Sequence, residues 1–571
     1  MDDIEKAILI SFDESGTVDS LLKSQAVSFC QQIKGTPSIC SICIEKLCLS
    51  KIVQVQFWCL QCLHEFLCVR YSSMSLEEKS FIRKSVFSMA CFEGDNDSVR
   101  VLEGPSFIKN KLAQVLVTLI YFEYPLIWSS VFTDFLPNLS KGAVVIDLFC
   151  RVLNVLDDEL ISLDYPRSTE EVAVAGRIKD AMRQQCVPQI VRAWYDIVSM
   201  YRNSDHELCT TVLDCVRKYI TWIDIGLIVN DAFIRLLFEL MLADGLLDQL
   251  RAAAAGCVLG VVSKRMDPQA KITLLRNLQL SRVFGLVTEN NDSELVSRVA
   301  SLLTGYATEV LECSKHSNSE DAKGVSMELL HEVLPSVFYA MRSCEVDATF
   351  SAVQFLSGYF ATMKSLSTMT ETQQLHFDPV YRYNLHALDK IGREEEDRMA
   401  EFRKDLFVLL CSVGRVAPDV TQIFIRNSLA IAAASSSDRN VEEVEVALSL
   451  FFALGESLSD EAMRTGSGEY SIYSPGLAAF LDDRGIHHPN VNVSRRASYL
   501  FMRVVKLLKA KLSLQDTVAR FTTMNCNSQE FLGLEDGSHI FEAIALLIGM
   551  EDVPLEKQSD YLQRCLLLFV S

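Results

Sequence analysis

Between residues 53 and 67 the chain reads VQVQFWCLQCLHEFL. At 100° per residue this predicts a helix with two apolar sides: Val53, Phe57, Leu60 and Leu67 on one, and Val55, Trp58, Cys59, Cys62 and Phe66 on the other. Gln54, Gln61 and Glu65 form the only polar stripe. Such a helix must be covered on both sides, so it lies between neighbours. Ser75-Leu76-Glu77-Glu78 has the pattern of a capping box and predicts a second helix through Phe81, Ile82, Val86 and Met89. Pro105 predicts the start of a third, which Pro125 ends. Trp128, Val131, Phe132 and Phe135 mark a fourth. Helix, turn, helix in units of roughly 40–47 residues is the rhythm of an all-α solenoid of HEAT-type hairpins, an armadillo-like superhelix.

The rest of the chain keeps this rhythm. Helices are predicted at Ile4–Phe12, Ser20–Ile33 and after Pro37 through Leu47. They continue at Val144–Leu156, from Thr169 to Cys186, from Pro188 through Val198, and at Leu208–Ile223, Ala232–Ala243, Leu247–Ser263, Ser293–Cys313 and Ser326–Met341. No strand alternation and no Asn-Gly hairpin signal interrupt them. Small polar stretches at 435–440, before a helix predicted at Val441–Leu454, and at 466–471 predict flexible points.

Composition narrows the class. With 571 residues the chain exceeds one compact core, and 49% apolar against 22% charged residues marks a folded protein. A formal net charge of −20 excludes a general nucleic-acid binder, so any RNA contact must be a local basic patch. The acidic N-terminal residues predict no signal peptide, and no apolar run predicts a membrane insertion. The cysteines are then expected to be reduced.

Four cysteines, Cys40, Cys43, Cys59 and Cys62, have a spacing that fits a zinc site. Their neighbours are Ile39, Ile42, Ile44, Val55 and Trp58 rather than turn residues, so packing is the expected role and no metal or cofactor is assigned. No nucleotide-binding, metalloprotease or hydrolase signature occurs, no catalytic residue is assigned, and a binding scaffold rather than an enzyme is expected. Arg393–Asp405 mixes charges in a pattern that suits pairing within a helix, and Glu442-Glu443-Val444-Glu445 suits a helix start. Arg484, Arg495, Arg496, Arg503, Lys506, Lys509 and Lys511 form a basic run with no acid among them. On a helix starting near Ser494, Arg495, Arg496, Arg503, Lys506 and Lys509 share one arc, with Leu500, Val504, Val505, Leu507 and Leu508 opposite. That stripe suits either a solvated face or a phosphate-backbone contact.

Wording as well as rhythm is distinctive. VQVQFWCLQCLHEFL, then Lys111-Leu112-Ala113-Gln114, then Pro125-Leu126-Ile127-Trp128 resemble the N-terminal domain of the exportin branch of the importin-β (karyopherin) superfamily. The resemblance continues through Asp157-Asp158-Glu159, Leu163-Asp164-Tyr165-Pro166, Lys179-Asp180-Ala181-Met182-Arg183, Trp222-Ile223-Asp224-Ile225-Gly226 and Ser494-Arg495-Arg496, and is to the tRNA exportins, the exportin-T family. It implies a nuclear export receptor without catalysis, shuttling between nucleus and cytoplasm. Residues 1–140 would bind Ran-GTP, with Lys109, Lys111 and Gln114 as candidate contacts, and 141–571 would form the arch. The arch would take tRNA, with Arg484, Arg495, Arg496, Arg503, Lys506 and Lys509 as candidate contacts, and pore proteins with phenylalanine-glycine repeats would carry the complex. The chain is shorter than members of that family and departs from them near residues 376–378, 468–478, 512–513 and at its end. The expectation is that it keeps some Ran binding and loses most tRNA affinity. A cytosolic helical-repeat scaffold without tRNA cargo needs only the solenoid.

Overall fold

The computed structural model describes residues 1–16, 18–91, 101–162, 166–287, 294–317, 319–343, 346–365, 393–416, 421, 423–425, 427, 486, 491–508, 537–549 and 554–570. Among the described residues all regular structure is helical. The chain divides into two units, one of Met1–Met266 with Ser293–Leu302, the other of Asp267–Asp292 with Leu303–Ser571.

In the first unit the helices are α1 Asp3–Ser11, α2 Ser20–Lys34, α3 Ile39–Leu49, α4 Val53–Arg70, α5 Leu76–Ala90, α6 Ser106–Glu123, α7 Val131–Asn138, α8 Ala143–Leu156, α9 Thr169–Gln185, α10 Val187–Tyr201, α11 His206–Ile220, α12 Phe233–Leu242 and α13 Asp248–Ser263. They stack as two layers. One runs α4, α6, α8, α11, α13, each packed on the next. The hairpin partners α3, α5, α7, α10 and α12 flank it, with α3 on α5 and α7 on α10. The pairing is that of HEAT hairpins, but the unit length is not uniform, because α9 is an extra helix that packs on α10.

Helix α4 is covered twice, as its pattern requires. Val55, Trp58, Cys59, Leu60, Cys62, Leu63 and Leu67 are all buried, with α3 and α6 against them. Gln54 and Glu65 stay exposed, while Gln56 is buried and donates to the Ser50 carbonyl at 3.0 Å. The Ser75 box is formed: the Ser75 hydroxyl accepts from the Glu78 N–H at 3.2 Å and the Glu78 carboxylate accepts from the Ser75 N–H at 2.9 Å. Ser168 and Glu171 make the same reciprocal pair at the start of α9. Helix α6 ends at Glu123, before a cis Tyr124–Pro125 bond. Helix α13 carries Ala252 to Ala255 and Gly256 where it meets α11. A Cβ at Gly256 would lie 3.1 Å from Arg217 Cδ, so glycine there permits the close approach.

The second unit contains α14 Pro268–Leu278, a 3-10 segment Leu280–Val287, most of α15 Glu294–His316, then α16 Glu320–Ser343, α17 Val346–Ser365, α18 Arg393–Val416, α19 Val491–Leu508, α20 Gly537–Ile548 and α21 Leu555–Val570. Helices α14, α16, α17 and α18 pack in sequence, as do α19, α20 and α21. Buried Lys271 of α14 pairs with Glu309 of α15 at 3.0 Å. The predicted flexible points, the Val441–Leu454 helix and the departures near 376–378, 468–478 and 512–513 lie outside the described residues. No described helix is long and apolar enough to cross a membrane.

Candidate interaction surfaces

The face of α6 carrying Lys109, Lys111 and Gln114 is already engaged with its neighbours. Lys109 Nζ lies 2.8 Å from Asp147 of α8, a carboxylate that Arg151 also contacts at 2.9 Å. Lys111 Nζ approaches His64 Nδ1 of α4 at 3.0 Å and donates to Gln114 at 3.0 Å. Gln114 in turn donates to Glu159 at 3.2 Å. Burial, then the adjacent Lys111, lowers the His64 pKa, and burial also lowers that of Lys111. Burial pushes the Glu159 carboxyl up. The three residues therefore knit α4, α6, α8 and the π turn Asp157–Ile161 together.

The basic stripe falls on α19, which begins at Val491, before the predicted Ser494. Arg495 is exposed and Arg503 half-buried, and both have interaction partners. Lys506 is paired with Glu542 of α20 at 2.6 Å. Tyr499 meets His539 edge-on, with centroids 5.5 Å apart, so α20 docks along one side of the stripe. Arg484 and Lys509 lie outside the described residues, as does the side chain of Arg496. The sequence pattern shows the cations but not Glu542, whose carboxylate offsets one of them.

Cys40 and Cys43 are buried on α3, and Cys59 and Cys62 are buried on α4. The Cys43 thiol faces those of Cys59 and Cys62, which hold it far above the usual thiol range. Among the described residues no cluster of three His, Cys, Asp or Glu side chains has metal-holding geometry. A shallow cleft of about 500 Å³ between α10 and α12 is lined by Tyr195, Ser199, Arg202, Asp231, Arg235 and Glu239. Its charges are balanced, with Arg202 paired to Glu239 at 3.0 Å.

One concentration of charge escapes the sequence reading. Lys179 and Arg183, one turn apart on α9, lie over the Trp222 ring at 5.7 and 5.5 Å from its centroid. Arg183 also donates twice to the Trp222 carbonyl, at 3.2 and 2.8 Å. Lys264 donates to the carbonyls of Ile220, Thr221 and Ile223 at 2.7, 3.2 and 2.8 Å. The segments 179–183 and 222–226, separate in sequence, thus meet at the C-terminal end of α11.

A two-layer helical array whose polar residues tie the layers together is the architecture of a helical-repeat protein. Residues 105–258 match the family model described as exportin 1-like protein. The chain is 64% identical to exportin-T of Arabidopsis thaliana over 98% of its own length and 63% of that protein. It is 41% identical to exportin-T of Oryza sativa subsp. japonica, with the same coverage of both chains. To exportin-T of Homo sapiens it is 26% identical over 96% of this chain and 63% of that one. Over nearly its whole length the chain is thus similar to exportins. It spans just under two thirds of the length of these relatives, and its alignment with the Arabidopsis protein runs over 625 positions, more than its own 571 residues.

Proposed function

We propose that this chain is a nuclear export receptor that binds tRNA together with Ran-GTP and carries it through the nuclear pore to the cytoplasm. The observation that carries the reading is 64% identity to an exportin-T across 98% of the chain. The two-layer array supports it, since stacked hairpins offer a long surface to a large cargo. Ran-GTP would dock on the edge formed by α4, α6 and α8. There Lys109, Lys111 and Gln114 act mainly by holding the helices in register, through Asp147, His64 and Glu159. tRNA would be held through its backbone and shape, which suits a cargo of common form and varied sequence. Arg495 and Arg503 of α19 are the described members of the basic stripe that supply phosphate contacts in this reading. Pore proteins with phenylalanine-glycine repeats would carry the complex, and GTP hydrolysis on Ran, not chemistry in this chain, would release the cargo.

Binding of Ran-GTP and of tRNA is then coupled, and the coupling is reciprocal. The test is a pull-down of purified chain on GTP-loaded Ran with and without tRNA. Retention that needs GTP and rises only weakly with tRNA supports the reading, in keeping with the expected loss of most tRNA affinity. Retention that ignores both the nucleotide on Ran and the presence of tRNA leaves only a protein-interaction scaffold.

A further inference from the structure

The cations gathered at the end of α11 are not all explained by the fold. A helix C-terminus presents unpaired carbonyls at the negative end of its dipole, and donors there are stabilising. That accounts for Lys264, whose three N–H groups serve three carbonyls, and for the half of the Arg183 guanidinium that serves Trp222. It does not account for Lys179. Its ammonium donates to no acceptor among the described residues and rests half-buried beside the indole ring. Burial, and then repulsion from Arg183, lowers the pKa of both Lys179 and Lys264, so the fold holds cations together at some cost.

The acids facing the cluster do little to offset it at the surface. Asp158 is taken by Lys218 at 2.7 Å, and Asp224 accepts the Gly226 N–H at 2.8 Å. Asp157 is buried, and burial pushes its carboxyl up. Asp180, largely in solvent, meets the partly exposed Arg183 at 3.0 Å. Arg167 adds a further positive charge near Lys179. The free Lys179 ammonium, with the Arg183 Nη1 that an anion would share with Asp180, sets two donors for an anion against one ring. In a chain of net charge −20 a polyanion can settle only on such local positive spots.

We propose that Lys179 and Arg183, set on Trp222, form a phosphate-contact site for the RNA backbone. This deepens the tRNA reading above and rests on it. The site reads no bases, because both donors address phosphate oxygens.

The experiment measures binding of fluorescently labelled tRNA to the full chain in the presence of Ran-GTP, between 50 and 200 mM salt. The Lys179→Gln variant removes the charge and breaks no hydrogen bond to a described residue. Losing one phosphate contact lowers the salt slope by about 0.7–0.9, which corresponds to about tenfold weaker binding at 50 mM salt and about fourfold at 200 mM. Lys179→Arg keeps near-parental binding, and Lys323→Gln, which removes an exposed cation paired with Glu320 on its own helix, changes nothing. Parental affinity and slope in Lys179→Gln, with tRNA bound by both proteins, overturn the site and leave the export reading standing. Absence of tRNA binding by the parent while Ran-GTP still binds overturns the site together with the cargo half of the proposed function. Absence of both sinks the export reading itself.

Discussion

Glu123 closes α6, and its side chain is fully buried. The Tyr71 hydroxyl donates to one carboxylate oxygen, and Arg83 Nη1 of α5 lies 2.9 Å from the other. Around them Tyr71 stacks on Phe122 at 4.5 Å, and Arg83 stands over Trp128 at 6.0 Å. Glu123→Leu removes the acceptor and leaves a guanidinium that is only 22% exposed without its counter-charge. Breaking one side of a buried pair costs about 3–5 kcal/mol, and the stranded tyrosine hydroxyl adds about 1–3 kcal/mol at most. Replacing both partners, as in Arg83→Met with Glu123→Leu, leaves no orphan charge and recovers most of the loss. A stacked array need not unfold in one step, so hydrogen exchange of α5 and α6 amides is a better assay than a single melting temperature. If Glu123→Leu lowers the opening free energy by less than about 1 kcal/mol, or the double variant is as unstable as the single, the inter-layer tie is not what holds α5 on α6.

Three further outcomes follow from packing and titration. Phe149→Ala, at a fully buried ring 5.3 Å from that of Phe135, costs about 3–5 kcal/mol and shifts the urea midpoint down. For Asp157, burial raises the native pKa, so the charged form costs stability above the native titration and costs nothing below the unfolded range near 4. Asp157→Asn is therefore more stable than the parent at pH 7 and equal to it at pH 3, read by denaturant titration at the two values. Among the cysteines whose side chains are described, Cys68 is exposed and Cys48 half-buried while the rest are buried, so native maleimide labelling followed by peptide mapping finds Cys68 modified before the others of this set.

Local signals carried much of the first unit. The Ser75 box and the two-sided pattern of α4 lie within single helices, and the structure reproduces them. Helix α14 was missed although its start is legible: Asp267 caps the N–H groups of Gln269 and Ala270, and Pro268 occupies the first turn. The contacts that fix the candidate surfaces were out of reach for a different reason. Tyr71 and Glu123, Lys506 and Glu542, and Arg183 and Trp222 are each several tens of residues apart. Which of them meet depends on how consecutive hairpins stack, and helical periodicity says nothing about that register. Lys109, Lys111 and Gln114 show the same limit from the other side, since polarity alone cannot separate a partner contact from an inter-layer tie.

The central claim, that this helical array is an export receptor, meets its most direct test in the affinity of the purified chain for Ran in its two nucleotide states. Binding to Ran-GTP with no binding to Ran-GDP at the same concentration is the predicted result. Equal affinity for the two states, or none for either, contradicts it.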